Sequence, residues 1–340
     1  MKTIVLFLAL TQSIQDVYKS ANSDFDAGRW GEAASKYEQV LKEDGSHIPS
    51  RFNLAVCYSK TGKPDDAIAA YRTLLEQDST IYEARTNLAL LLEQTGKRAE
   101  AGEQFEKALA LRPDDMQAQV NVGMFYLRGN ETDKAYPHLI AAADKGAASA
   151  ELYVALSEAE HAHKNEDKSR EYLQKAIQLD PNNTKWIRQL AISYLDEKQV
   201  AKAIPVLEQL TKIESNNADY LYLLGKSYEE MKMYPQALAT LQQVLRVKAD
   251  YFEAYGTIAA IFYAQEDWAR AAQALMRVIE LRPREALAHF VLATCLDKLG
   301  NAKDAVVHYN KFLELDDGSN DTRSFQARER AKTLDRRLKR

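Results

Sequence analysis

A segment of 34 residues sets the pattern that the rest of the chain repeats. Within residues 82–115, apolar residues recur at helical spacing in two runs, and the first run carries Leu88 and Leu92 on one face. Gly96 separates the runs, and glycine commonly ends a helix because it accepts the left-handed conformation. The second run ends before Pro113, since the residue preceding a proline is disfavoured in the helical region. The segment is therefore predicted to form two helices joined by a tight turn.

The same pattern occurs nine times between residues 14 and 319 without an inserted or deleted residue. Position 1 of the nine repeats falls at Ile14, Ile48, Tyr82, Met116, Ala150, Thr184, Ala218, Phe252 and Ala286. Positions 8 and 20 hold only Ala, Gly or Ser, whereas position 24 holds Tyr, Phe or Leu. Closely crossing helices require a small residue facing a large one at fixed spacing. Positions 8, 20 and 24 are therefore predicted to form the core, and position 15 the turn.

This arrangement resembles the tetratricopeptide repeat, a helix-turn-helix motif with a period of 34 residues. The residues that carry the match in repeat 3 are Leu88, Ala89 and Leu92 for the L-G-x2-Y element, Ala101 and Phe105 for A-x3-F, and Pro113 for the closing proline. Arg85 replaces the tryptophan of the pattern. The resemblance implies an all-α fold, a right-handed superhelical solenoid in which the first helices line an extended concave groove.

Two repeats depart from the pattern. Asp24 replaces the aromatic residue at position 11 of repeat 1, as an outward-facing cap would. Repeat 5 is the most degenerate, because polar residues replace the small, aromatic and turn residues at Ser157, Glu160, Lys164 and Ser169. Fewer apolar contacts would lower the local stability of repeat 5, which is interpreted as a hinge between repeats 1–4 and 6–9.

The two ends of the chain differ from the repeats. The formal net charge is −4, but residues 320–340 contain eight Lys/Arg against three Asp/Glu, so residues 1–319 carry −9. Residues 320–340 are predicted to form a basic capping helix whose inward-facing residues are Phe325, Ala327, Ala331, Leu334 and Leu338. Residues 1–13 combine Lys2 with a short apolar run, as in a short signal peptide, so periplasmic or secreted localisation is expected. The alternatives are a first helix that packs on repeat 1 and a cytoplasmic protein.

Motifs for catalysis or cofactor binding are not found in the sequence. It contains no phosphate-binding glycine loop, H-E-x-x-H or G-x-S-x-G, and the segments flanking the repeats are too short for a catalytic domain. The chain is therefore predicted to be no enzyme and to bind no cofactor or metal. Cys57 and Cys295 lie seven repeats apart, too far to form a disulfide, and are expected to be buried. His161 and His163 point about 200° apart on a helix, so they would not share a metal ion.

The first functional hypothesis is a scaffold that binds a peptide or protein partner in the concave groove. In the family that the chain resembles, positions 2, 5, 9 and 12 of the first helix face this groove. Exposed aromatic residues there suit partner binding, and the predicted contacts at these positions are Tyr18, Asn22, Phe52, Tyr222, Tyr263 and Phe290. The alternative is that some of these side chains close the superhelix on itself. A basic ligand segment is favoured in repeats 7 and 8 by Asp219, Glu229, Glu230 and Glu253.

A row of asparagines adds a second candidate contact. Position 6 of repeats 2, 3 and 4 holds Asn53, Asn87 and Asn121. An amide offers both a donor and an acceptor, so such a row suits a peptide backbone whatever its side chains are. The row resembles the asparagine ladder in the repeat domain of the nucleocytoplasmic GlcNAc transferase and not the carboxylate clamp of chaperone-binding members. The alternative is that these amides bond to their own scaffold.

Two other functions remain open. The first is RNA binding by a related helical-hairpin array, but the 34-residue period, the charge of −9 over residues 1–319 and the absence of a recurring base-reading pair oppose it. Partners are thus expected to be proteins and not nucleic acid, and no apolar stretch is long enough to span a membrane. The second is an assembly or secretion accessory outside the cytoplasm, which shares the scaffold chemistry.

Overall fold

The computed structural model describes residues 2–316 and 321–339, and no strand occurs among them. The helices are α1 Lys2–Asp26, α2 Trp30–Glu43, α3 Ile48–Lys60, α4 Pro64–Gln77, α5 Tyr82–Gln94, α6 Arg98–Leu111, α7 Met116–Arg128, α8 Thr132–Asp144, α9 Ala150–Ala162, α10 Glu166–Leu179, α11 Thr184–Asp196, α12 Val200–Ile213, α13 Ala218–Glu230, α14 Tyr234–Val247, α15 Phe252–Ala264, α16 Trp268–Leu281, α17 Ala286–Lys298, α18 Ala302–Leu315 and α19 Asp321–Leu338. The predicted all-α solenoid of tandem helix-turn-helix repeats is confirmed. The predicted turn before α19 lies, beyond Asp316, outside the described residues.

The chain divides into two compact units between Tyr172 and Leu173, within α10 of repeat 5. Unit 1 contains repeats 1–4 and the first part of repeat 5, and unit 2 contains the remainder and α19. The hinge proposed for repeat 5 stays a prediction.

The helix boundaries follow the sequence period. The first helices of repeats 2–9 all begin at the predicted position 1, and the second helices of all nine repeats begin at position 17. The exception is α1, which begins at Lys2 and not at Ile14. Residues 2–13 contain neither glycine nor proline, so nothing in this segment ends a helix. The leader assignment for residues 1–13 stays a prediction, and Met1 lies outside the described residues.

The turn between the two helices has the same backbone conformation in every repeat. Position 15 has a positive φ in all nine repeats, at Gly28, Gly62, Gly96, Asn130, Lys164, Lys198, Lys232, Glu266 and Gly300. In repeat 3 the Lys97 N–H donates to the Leu92 carbonyl at 2.8 Å and the Gly96 N–H to the Glu93 carbonyl at 3.0 Å. This pair of bonds satisfies the last carbonyls of α5. Repeats 4–8 adopt the same left-handed turn with a residue other than glycine at position 15.

The core has the predicted alternation of small and large side chains. The residues at positions 20 and 24 are buried in all nine repeats, as are those at position 8. A Cβ built on Gly123 would lie only 2.6 Å from Cδ2 of Leu139, and one on Gly225 would lie 3.0 Å from Leu241. Position 8 therefore touches position 24 of the same repeat, and only a small residue fits where the two helices cross.

Hydrogen bonds between side chains also link neighbouring repeats, which the sequence analysis did not predict. Wherever position 11 is tyrosine, its hydroxyl bonds to a Glu or Gln at position 25 of the preceding repeat. The pairs are Tyr58–Glu38 at 2.7 Å, Tyr126–Glu106 at 2.6 Å, Tyr194–Gln174 at 2.7 Å and Tyr228–Glu208 at 2.5 Å. The hydrogen bond to Glu106 and burial raise the pKa of Tyr126 to about 12. Each bond satisfies a polar group at the edge of the core and fixes the register of two repeats.

The interpretation of Asp24 as an outward-facing residue is wrong. Asp24 is 6% exposed, and its carboxylate lies 2.6 Å from Arg29 and 2.5 Å from Lys36. The hydrogen bonds from Lys36 and Arg29 lower the pKa of Asp24. Two cations therefore compensate a carboxylate at a position where every other repeat except repeat 5 carries a tyrosine or an apolar residue.

Repeat 5 replaces apolar contacts with a buried polar network. The Ser169 hydroxyl lies 2.9 Å from that of Ser157 and donates to the Ser157 carbonyl at 2.8 Å. Glu160 is 2% exposed and accepts a bond from the Tyr136 hydroxyl at 2.7 Å. In this pair the carboxylate is at position 11 and the tyrosine is in the preceding repeat, which is the reverse of the Tyr–Glu pairs of other repeats. That bond and burial raise the pKa of Tyr136 to about 12.

Helix α19 closes unit 2 with a register that differs in part from the prediction. Ala327, Ala331 and Leu334 are buried as expected. Phe325 and Leu338 were assigned to the inward face, and this is wrong, because they are 66% and 51% exposed. Ser324 is buried instead of Phe325, so the packed face of α19 is offset by one residue at its start.

Candidate functional site

The predicted contacts in unit 1 form a row along the first helices, and all of them are half-buried. Near the start of this row three polar groups are linked: the Asn53 amide donates to the Tyr37 hydroxyl at 3.0 Å, and that hydroxyl donates to Asn22 at 2.7 Å. Tyr37 is fully buried. The pKa of Tyr37 is raised to about 12, chiefly by burial. Asn22 and Asn53 therefore satisfy the one polar atom of a core side chain.

The same type of hydrogen bond, from an asparagine at position 6 to a tyrosine of the preceding repeat, occurs in repeat 3 but not in repeat 4. The Asn87 amide donates to the Tyr71 hydroxyl at 3.2 Å, so position 6 again meets position 24 of the preceding repeat. Repeat 3 has Phe105 at position 24 and offers no hydroxyl. Asn121 instead accepts a hydrogen bond from Gln117 on its own helix at 3.0 Å. Two members of the asparagine row are thus bonded to buried tyrosines, while Asn121 accepts its bond from Gln117 on the surface of α7.

The aromatic members of the row in unit 1 also contact neighbouring rings. The Tyr18 ring centroid lies 4.8 Å from that of His47, edge to face. The Phe52 centroid lies 6.0 Å from that of Tyr71. Neither Tyr18 nor Phe52 is fully buried.

In unit 2 the predicted aromatic residues lie near acidic groups. The Tyr222 ring centroid lies 5.2 Å from that of Tyr251, and the Tyr251 hydroxyl donates to Asp219 at 3.0 Å. Glu229 is paired with Lys226 at 2.7 Å. Two of the four acidic residues predicted for repeats 7 and 8 therefore have partners within the protein.

Tyr263 and Phe290 lie together between the last two repeats and α19, where they line two adjoining cavities. The first, which we name the Gly256 pocket, has a volume of about 560 Å³ and is lined by α15, α16, α17 and Arg323 of α19. Its apolar walls include Ala260, Leu287 and Val291. These cavities lie within the size range of known ligand pockets, roughly 300–1,000 Å³.

The second cavity, which we name the α19 pocket, has a volume of about 470 Å³. Phe325 and Arg330 of α19 line it together with Tyr263, Phe290 and Asp297. Arg330 forms a bidentate ion pair with Asp297, and this pair anchors α19 on α17. Three residues of these cavities were not predicted from the sequence: Gly256, Arg323 and Phe325. The strongest available signal was Gly256, a glycine in a helix interior.

The remaining candidate groups have structural partners. Cys57 and Cys295 are fully buried, and burial raises the pKa of each thiol to about 11. His161 lies 2.8 Å from Glu166, and His163 lies 3.1 Å from Asp133. The described part of the chain contains no group of three His, Cys, Asp or Glu side chains that could hold a metal ion. Across the same residues, no helix is both long and apolar enough to cross a bilayer.

Comparison with known proteins identifies the family. One tetratricopeptide repeat model matches residues 24–84, 160–226 and 194–261, and a second matches residues 58–115, 86–138, 123–184 and 257–320. The chain belongs to the tetratricopeptide repeat family. Proteins of this family bind protein or peptide partners and are generally non-enzymatic scaffolds. No curated protein shows significant similarity to the chain.

Three solved structures illustrate the likeness in fold. The C-terminal part of a repeat-containing protein from Cytophaga hutchinsonii is 17% identical, with a TM-score of 0.53, covering 81% of this chain and 99% of its own. A tetratricopeptide repeat protein from Parabacteroides merdae is 16% identical, with a TM-score of 0.52, covering 72% and 97%. YrrB, described as a protein with an unusual peptide-binding site, is 22% identical, with a TM-score of 0.46, covering 54% and 95%. At these identities the likeness shows the fold alone.

Proposed function

We propose that the chain is a non-enzymatic scaffold that binds a peptide or protein partner on the first-helix surface of unit 2, with α19 forming one wall. The observation that supports this most is the pair of adjoining cavities that share Tyr263 and Phe290. Their walls are apolar and aromatic with a few charged groups, the composition typical of ligand pockets. Tyr263 is 37% exposed and Phe325 is 66% exposed, so both rings are available to a partner.

The asparagine row of unit 1 is proposed as a second contact. Asn121 is its strongest member, because Asn53 and Asn87 already donate to buried tyrosines. The asparagine row would then bind the partner through the parts of its amides that remain accessible, with Tyr18, Asn22 and Phe52 beside it.

Selection from a phage-displayed random peptide library tests this function without a known partner. We expect enriched peptides to bind the intact chain and to lose affinity for Tyr263→Ala and Phe325→Ala. These two residues are exposed, so their removal leaves the core intact. Met276→Ala is the matched control, because Met276 is 46% exposed on the second helix of repeat 8. Failure to enrich any peptide, or equal loss with the control, would contradict the proposal.

Nucleic acid is not the proposed partner. The repeats carry the negative balance noted above, and phosphate binding depends on clustered cations. A filter-binding assay with RNA at low salt separates the two functions, since tight and salt-sensitive RNA binding would overturn the scaffold proposal.

Export is proposed from the pattern of residues 1–13, which would make the chain an extracytoplasmic assembly or secretion accessory. Mass spectrometry of the protein from its host tests this: a mature chain beginning near Ile14 supports export, and an intact Met1 opposes it.

A further inference from the structure

Gly256 lies in the interior of α15, and unlike Gly123 and Gly225 it is not required by the packing around it. Gly123 and Gly225 have no room for a Cβ against Leu139 and Leu241. A Cβ built on Gly256 would meet no atom within 4 Å. Glycine in a helix interior is less stable than alanine by roughly 0.5–1 kcal/mol, so the protein retains a destabilising residue that its own fold does not need.

The missing side chain opens the Gly256 pocket. Gly256 occupies position 5 of repeat 8, where the neighbouring repeats carry Tyr222 and Phe290. Gly256 itself lines the cavity with Ala260 and Val291, and Phe290 and Tyr263 form its aromatic side. The neighbouring repeats therefore present an aromatic ring at position 5, whereas repeat 8 has an opening there whose size and polarity suit a ring.

The charged groups that line this opening are mainly carboxylates. Glu253 and Glu285 both line the Gly256 pocket, and within residues 2–316 and 321–339 neither carboxylate has an ion-pair or hydrogen-bond partner. Arg323 belongs to the same lining, which therefore contains two carboxylates and one guanidinium. Successive side chains of an extended peptide point to opposite faces, so two side chains that reach the same lining are two residues apart, about 6.6 Å along the peptide.

We propose that the Gly256 pocket accepts one bulky apolar side chain, such as Phe or Leu, from an extended peptide in which the residue two positions away is Lys or Arg. The apolar side chain fills the space left at position 5, and the cation pairs with Glu253 and Glu285. This inference rests on the proposed function and specifies its ligand class.

The probes are fluorescein-labelled eight-residue peptides of Ser and Gly that differ only in a central Phe-Ser-Lys, Ala-Ser-Lys or Phe-Ser-Glu segment, and we name them Phe-Lys, Ala-Lys and Phe-Glu. Fluorescence anisotropy with the full chain is expected to show affinity for Phe-Lys at least about tenfold above that for Ala-Lys, from burial of the ring. The Phe-Glu peptide is expected to bind more weakly than Phe-Lys, and the difference should shrink with added salt. Glu253→Gln combined with Glu285→Gln should remove most of this difference.

The decisive variant is Gly256→Leu, which fills the pocket and at the same time favours the helix. We expect it to lose Phe-Lys binding by about tenfold or more while its melting temperature stays equal or rises. Gly31→Leu is the matched control, because a Cβ there also meets no atom within 4 Å and Gly31 lies on α2 of repeat 1. The control should bind as the unmodified chain does.

The outcomes separate this inference from the proposed function. If display-selected peptides bind through Tyr263 but Gly256→Leu leaves their affinity and that of Phe-Lys unchanged, the pocket assignment is wrong and the scaffold function stands. If no peptide from either source binds, both fail. If Gly256→Leu changes the sedimentation of the chain while Phe-Lys does not bind, the occupant is a second copy of the chain and the peptide assignment is overturned.

Discussion

Substitution by glycine is expected to raise stability at position 15, where the backbone is left-handed, and to lower it in a helix interior. Lys232 has a φ of 58°, and this conformation costs an L-residue about 1–2 kcal/mol because Cβ approaches a carbonyl oxygen. Glycine removes this cost but loses about 0.4–1 kcal/mol through the greater freedom of the unfolded chain. Lys232→Gly is therefore expected to raise the free energy of unfolding by about 0.5–1 kcal/mol.

Gln243 of the same repeat provides the control. It is exposed in the interior of α14, so Gln243→Gly should lower the free energy of unfolding by about 0.5–1 kcal/mol. Asn130→Gly should gain less than Lys232→Gly, since asparagine tolerates the left-handed region better than lysine. Urea unfolding followed by circular dichroism measures all three. Equal destabilisation by Lys232→Gly and Gln243→Gly would refute the reasoning.

Three further predictions concern the packing within and between repeats. Tyr58→Phe removes the bond to Glu38 and should lower the free energy of unfolding by about 1 kcal/mol, whereas an unchanged urea midpoint would show that the bond is not formed in solution. Ala101→Leu should overpack the helix crossing of repeat 3 and cost about 1–3 kcal/mol, and an unchanged melting temperature would contradict the core register. Burial and the neighbouring His289 lower the pKa of His308, so the unfolded chain binds more protons at acid pH. Stability should therefore fall as pH drops below about 6.5, the ordinary pKa of histidine. His308→Asn should reduce this loss between pH 7.5 and 5.5, and an identical pH profile for the two proteins would argue against His308 as its source.

The fold was predictable because nine copies of one pattern report the same geometry. A small residue at position 8 means little once, but Ala21, Gly123 and Ser157 in register require a close helix crossing. The Tyr–Glu pairs were also readable in principle, since a tyrosine at position 11 always follows a Glu or Gln at position 25 of the preceding repeat. They were not predicted because each pair joins two repeats, whereas the 34-residue pattern describes the contacts within one repeat.

The errors arose where the repeat gives no guidance. Asp24 breaks the pattern at position 11, and its burial depends on Arg29 and Lys36 arriving from the turn and from α2. Phe325 belongs to a helix that occurs once, so hydrophobicity was the only signal for its register. The packing of α19, through Ser324, Ala327 and the Arg330–Asp297 pair, leaves Phe325 exposed beside the α19 pocket.

The candidate site was predictable only in part. Positions 5 and 12 pointed to Tyr263 and Phe290 because the family places ligand contacts there. That rule could not predict the other residues of the site. Arg323 and Phe325 lie outside the repeats, and Gly256 contributes by having no side chain. A cavity depends on what neighbouring elements leave empty, which a sequence pattern does not report.

Amide hydrogen exchange of the full chain, with and without a display-selected peptide, shows whether a partner binds to the first-helix surface of unit 2. Bound peptide is expected to slow exchange in α15, α17 and α19, where a partner covers Tyr263, Phe290 and Phe325, and Tyr263→Ala is expected to abolish the effect. Protection confined to the second helices of the repeats, or no protection at saturating peptide, would contradict this expectation.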